Sequence, residues 1–201
     1  PFVVGSVSTS LRTMDRNLEL AAANLGADPR RTFTRITLPI ILPGVLAGAI
    51  PLHMVLIHQV AAVSDAGFSR ELAALGLGLI GLFTAPAMIF MGLLADRIGR
   101  QWSYLLGSAS LMVGIFLLMM LTGADRSWLF YAFPPFIAFG FSSRQSLYPT
   151  IAADLFHGKS FGAIIGAIAL FIGAGAGIGP WLGGVIHDLT GGYYWAFSVA
   201  Q

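Results

Sequence analysis

From Leu38 onward the sequence is a succession of apolar runs, each long enough to cross a lipid bilayer: Leu38–Val63, Leu72–Leu94, Ser103–Leu121, Trp128–Ala152 and Phe161–Ile186. A spanning helix needs about 20 mainly apolar residues, and all five runs qualify. A sixth begins near Tyr193 and is cut off at Gln201. The connections are short, such as ADRIGRQW, TGADRS and DLFHGKS. Short loops make neighbouring helices run antiparallel, as in a transporter bundle. Composition points the same way, with 56% hydrophobic and only 10% charged residues. A soluble domain carries about 25% charged residues, so lipid must be the solvent for much of this chain. The expected fold is an all-α membrane protein with five full transmembrane helices and a truncated sixth. A polar, helical, cytoplasmic loop precedes them. The chain begins at Pro1, without Met or signal peptide, and is expected to be a fragment.

Positive charge sets the orientation. With the N-terminal stretch inside, the inner side holds Arg12, Arg16, Arg30, Arg31, Arg35, Arg97, Arg100 and Lys159, and the outer side holds Arg70 and Arg126. Residues 5–35 are therefore expected in the cytoplasm, at a bacterial inner membrane. Trp128, Tyr193, Tyr194 and Trp195 then fall at the outer interface, where amphipathic rings prefer to sit.

Several function classes drop out. There is no cysteine, so disulfides and thiolate metal sites are excluded. Four scattered histidines argue against a metal site. The net charge is +2, and the basic residues cluster near the start, so no nucleic-acid partner is implied. No triad, paired carboxylates or cofactor motif is present, and the chain is not expected to be an enzyme. The glycines of Phe161–Ile186 follow no strand, which rules out a dinucleotide loop.

The inner loop between the second and third runs reads GLLADRIGRQ, Gly92 to Gln101. Gly92 would let two helices approach closely, and Asp96 sits where a helix meets the membrane surface. Arg97 and Arg100 can pair with Asp96 or with a helix terminus. The bland alternative is an ordinary basic loop. The whole spacing resembles the signature loop of the major facilitator superfamily, through Gly92, Leu94, Asp96, Arg97, Gly99 and Arg100. Gln101 departs from the usual basic residue. The resemblance implies a loop that gates conformational exchange rather than one that touches substrate.

The fifth run is rich in glycines three and four apart, a spacing that lets backbones pack closely in lipid. Pro180 removes a donor and can bend the helix. Packing is one reading, and a hinge for alternating access is the other. Gly166, Gly175, Gly179, Pro180 and Gly183 resemble the antiporter motif of the same superfamily. DLTGGYYWAF, Asp188 to Phe197, looks like the link between the last two helices of its monocarboxylate and oxalate–formate relatives. Residues 51–201 thus resemble the C-terminal half of such a transporter, which implies a missing N-terminal half as partner.

Arg144 stands near the middle of the fourth run, in FGFSSRQSLYP. A charge at that depth costs roughly 2.5–3.5 kcal/mol on insertion scales unless it faces protein or water. Asp154 is too far along the helix to pair with it, at about 15 Å. The two readings are an anion-binding cation, with Ser143 and Gln145 completing a polar patch, or a structural pair with an acid elsewhere. His58 is a further candidate for substrate or proton binding; the plainer reading is a hydrogen bond to a neighbouring helix.

The first fifty residues differ from the rest. Asn17–Leu25 reads as a short helix ending at Gly26, and Pro29 starts a second. A basic juxtamembrane segment is one account. The run Ala21, Ala22, Gly26, Ile36, Leu38, Pro39 also resembles the EAA loop of permease subunits of ATP-binding-cassette importers. Leu20 stands where that family usually has Glu. The resemblance implies a cytoplasmic loop that docks on an ATPase.

Two units follow: 1–50, permease-like, and 51–201, facilitator-like. They imply a join of two gene fragments, in the genome or in sequence assembly. The join falls inside one span, whose packing face is expected to suit neither parent. The expected function is secondary transport of a small solute, an organic anion being the candidate class, with the lipid bilayer and a small molecule as partners. The alternatives are an importer permease and a small membrane protein that transports nothing.

Overall fold

The computed structural model describes residues 35, 38–121, 127–155 and 161–201. Six helices lie within them: α1 Leu38–Asp65, α2 Arg70–Ile98, α3 Arg100–Met119, α4 Ser127–Leu155, α5 Phe161–Thr190 and the short α6 Tyr194–Val199. No strand occurs among the described residues. Ala21, Ala22 and Gly26 of the expected docking loop lie outside the described residues, while Leu38 and Pro39 open α1.

Among the described residues, four helices are long and apolar enough to cross a membrane: α1 over Leu42–Asp65, α2, α3 and α5. The sequence led us to expect five. The missing one is α4, which has the length, 29 residues, but not the composition. The run Ser142–Ser146 dilutes its apolar stretch. Three of those polar side chains turn inward: Ser142 and Ser143 are wholly buried and Arg144 is 5% exposed. A helix surrounded by protein need not be apolar throughout.

Local chemistry sets the helix ends. Ser69 caps α2, its Oγ accepting from the Leu72 N–H at 3.3 Å. Gly99 separates α2 from α3 at φ +88°, ψ 152°, a region open only to glycine. Large apolar side chains cover the outside, among them Leu82 and Ile89, each 68% exposed. Such a surface is stable only against lipid or another protein.

Within the bundle α4 packs against α2 and α3, and α1 packs against α5. Phe130, Phe133 and Ile137 of α4 form the core with Val55 of α1, Ile80 of α2 and Ile115 of α3. Ser142 Oγ donates to the Thr84 carbonyl at 3.0 Å, tying α4 to α2. Ser110 Oγ donates to the Phe136 carbonyl at 3.0 Å, tying α3 to α4.

The α1–α5 contact crosses the Ile50–Pro51 position. A Cβ added to Gly175 would lie 3.2 Å from the Ala49 carbonyl carbon, and one added to Gly179 would lie 3.0 Å from the Met54 nitrogen. One added to Gly183 would lie 2.8 Å from His58 Nε2. Helix α1 is continuous through Pro51, and α5 packs on residues from both sides of it. The packing of α1 on α5 thus runs across the Ile50–Pro51 position. Close packing comes from the α5 glycines, which accept whatever backbone α1 presents.

Candidate functional site

Arg144 is the chemical centre of the molecule. The helix register of α4 points it inward with Ser143, toward α3. Arg144 Nη1 donates to the Gly140 carbonyl at 2.8 Å, and Nη2 donates to Ser108 Oγ at 3.4 Å. Its Nε has no hydrogen-bond partner among the described residues. The Cζ atom stands 5.4 Å from the centroid of the Tyr104 ring. Tyr148 lies beside Tyr104, with ring centroids 6.2 Å apart. The hydroxyls of both tyrosines are buried without a hydrogen-bond partner among the described residues. No acid pairs with Arg144 among the described residues. A guanidinium carries five N–H donors, so most of its capacity is unspent.

Beside Arg144 lies a cavity of about 260 Å³. Helix α1 contributes Gly48, Ala49, Leu52 and His53; α4 contributes Phe141, Arg144, Gln145 and Tyr148. Helix α5 closes it with Ile165, Ile168, Ala169 and Ile172. The wall is thus mostly apolar, with a cation and a few polar groups on one side. That arrangement suits an anion with an apolar body.

The model for the Major Facilitator Superfamily matches residues 35–200. The chain belongs to the major facilitator superfamily. It is therefore part of a family of membrane solute transporters, and its apolar helices make it an integral membrane protein. Protein spinster homolog 3 of Mus musculus is 31% identical over 118 residues, which cover 59% of this chain and 22% of the relative. A sphingosine-1-phosphate transporter of Danio rerio is 32% identical over 124 residues, covering 59% and 23%. The molybdenum transport system permease protein ModB of Haemophilus influenzae is 52% identical over 50 residues, covering 25% and 22%. The chain thus carries a short permease-like stretch as well as the facilitator match. It spans less than a quarter of the length of each of these relatives.

The remaining candidate residues of this facilitator chain fall in different places. Gln145 lines the Arg144 cavity and is exposed to it. Ser143 does not line it: its Oγ donates to the Gly140 carbonyl at 2.9 Å. His58 is not among the lining residues either. It lies where α1 meets α5, with Nε2 2.8 Å from the Pro180 carbonyl and Nδ1 3.3 Å from the Tyr193 hydroxyl. The carbonyl can only accept, so Nε2 carries a proton. This is the plainer of the two sequence readings, a histidine bonded to a neighbouring helix.

In the signature loop, Asp96 and Arg97 are exposed, and Arg100 Nη1 donates to the Thr150 carbonyl at 3.1 Å, linking α3 to α4. The close helix approach expected at Gly92 is not found: a Cβ there would meet nothing within 4 Å. The same holds for Gly166, which faces outward, unlike Gly175, Gly179 and Gly183. At the far end of α1 and α5, His187 lies 3.7 Å from Asp65 and 3.6 Å from Asp188. Burial, and then the Asp65 and Asp188 carboxylates, push the nearby Tyr193 phenol up from its ordinary value.

Sequence reasoning missed Tyr104, Tyr148 and His53 as neighbours of Arg144. Tyr104 and His53 come from other helices, so their spacing along the chain carries no signal, whereas Tyr148, four residues beyond Arg144 on α4, could have been found from helix periodicity. It also missed a close approach of α4 to α3, where a Cβ on Gly140 would lie 2.9 Å from the Leu111 Cα.

Proposed function

We propose that this chain forms the C-terminal half of a secondary transporter for small organic anions, working by alternating access in a bacterial inner membrane. Its partner is an N-terminal half, and residues 5–35 lie in the cytoplasm. Arg144 is the anion anchor, with Gln145 and the Tyr104 and Tyr148 hydroxyls completing the polar side of the site. The observation that carries this is the buried Arg144 guanidinium, without an acid among the described residues and with Nε unpartnered. Buried charge of this kind inside a membrane bundle is functional by default. The named substrate of one relative, sphingosine-1-phosphate, joins an anionic group to an apolar chain, the same chemistry as the cavity wall. The loop Gly92, Asp96, Arg97, Gly99, Arg100 gates the exchange, and the Pro180 region of α5 supplies its flexibility.

The 52% identity to ModB supports a second reading, a permease-type stretch that docks an ATPase through residues 17–39. Two measurements separate them. Anion uptake that collapses when the ion gradient is dissipated supports the transporter reading. An ATPase that co-purifies with the chain, and is lost when residues 17–39 are deleted, supports the second. The chain alone is expected to bind anion and not to sustain uptake, because half a facilitator lacks half of its central cavity.

A further inference from the structure

His53 sits one helical turn beyond Ala49 on α1 and lines the same cavity as Arg144. Its Nδ1 is 2.8 Å from the Ala49 carbonyl oxygen. A carbonyl can only accept, so Nδ1 carries the proton and the neutral ring keeps its lone pair on Nε2. Nε2 has no hydrogen-bond partner among the described residues. One ring nitrogen is fixed and the other is free, on a residue type that changes charge near neutrality.

The charges around it give this a direction. No Asp or Glu lines the cavity among the described residues. From α4 the facing ionisable groups are Arg144 and Tyr148, and Tyr104 of α3 stands behind Arg144. Helix α5 presents only aliphatic side chains there. With the cavity empty, a proton on His53 would add a second positive charge to the cavity that Arg144 lines. An anion held by Arg144 offsets that charge and attracts a proton on His53 across the cavity. Each ligand must then strengthen the other by the same factor.

We infer that His53 is the proton-binding site of the Arg144 cavity, protonated on Nε2 when an anion is held there. This rests on the proposal that the cavity binds anions. The proton comes from water and returns to it, and no bond of the anion breaks. A monoanion enters with a proton, so the load is electrically neutral and transport is driven by a proton gradient without net charge movement.

The test uses the full chain in lipid nanodiscs and octanesulfonate, whose own charge does not titrate in this range. Wild-type affinity should rise as pH falls between about pH 8 and 6, by up to about tenfold per pH unit for one proton. In weakly buffered solution, binding should take up about one proton per anion. His53→Asn and His53→Gln should bind with an affinity that no longer depends on pH. An unchanged pH slope in both variants, or wild-type binding without proton uptake, overturns the inference and leaves the anion site standing. If neither variant folds, wild-type proton uptake decides alone. Binding that survives Arg144→Ala unchanged removes the anion site, and the inference with it.

Discussion

The Arg144 guanidinium stands 5.4 Å from the centroid of the Tyr104 ring, with both residues at most 5% exposed. The ring face carries partial negative charge and takes the place of a carboxylate. That is how the bundle holds a buried cation without an acid among the described residues.

Two substitutions at Tyr104 separate ring from hydroxyl. Tyr104→Phe keeps the ring and removes a buried hydroxyl without a partner, a group that costs about 1–3 kcal/mol; stability should hold or rise. Tyr104→Leu loses the ring–guanidinium attraction, about 0.5–2 kcal/mol, and should unfold at a lower temperature than Tyr104→Phe. The measurement is thermal unfolding in detergent. The reverse order would mean that the ring does not hold Arg144.

The α5 glycines should fall into two groups. Gly179→Ala puts a Cβ against the α1 backbone at Ile50 and Met54, and the overpacking should cost about 1–3 kcal/mol. Gly166→Ala meets nothing within 4 Å and should be neutral, or stabilising by up to about 1 kcal/mol through helix propensity. Equal effects at the two positions, measured by thermal unfolding, would contradict the packing described for α1 and α5.

Gly99 joins α2 to α3 at φ +88°. Gly99→Ala should cost about 1–3 kcal/mol from backbone strain alone, although open space surrounds the position. The loss should appear as a lower unfolding temperature, and Gly92→Ala, equally open but helical, should not share it.

Tyr193 should report on the end of the α1–α5 contact where Asp65 and Asp188 lie. Its folded phenol titrates above the ordinary value, raised by burial and then by Asp65 and Asp188. The stability this contributes is fully present below the unfolded value, about pH 10. It is lost as pH rises from there through the folded value. Tyr193→Phe should therefore flatten the alkaline loss of stability, followed by unfolding between neutral pH and about pH 11. An identical alkaline profile in the variant would show that Tyr193 does not sense the two carboxylates.

What the sequence revealed, and what it hid, follow from helix geometry. Arg144 was visible because a charge in an apolar run has few uses. The loop from Gly92 to Arg100 was visible because its spacing is local. The choice between His53 and His58 was not visible. They are five residues apart, about 140° around a helix, so only one can face the Arg144 cavity. Which one does so depends on how α1 is rotated, and Gly179 and Gly183 on a distant helix set that rotation. For the same reason, Gly166 and Gly175 look alike in sequence and differ in space. That the polar stretch of α4 faces protein was not visible either, because local hydropathy does not say what a helix packs against.

The central claim is that Arg144 holds an anion. Its most direct test is equilibrium binding of octanesulfonate to the full chain in nanodiscs, with wild type compared with Arg144→Gln and Arg144→Ala. Loss of a charged hydrogen-bond donor costs about 1.5–3 kcal/mol, so affinity should fall by at least about tenfold in both variants. The corresponding cation, octyltrimethylammonium, should not compete in the wild type. Wild-type affinity in both variants, or competition by the cation, would contradict the account.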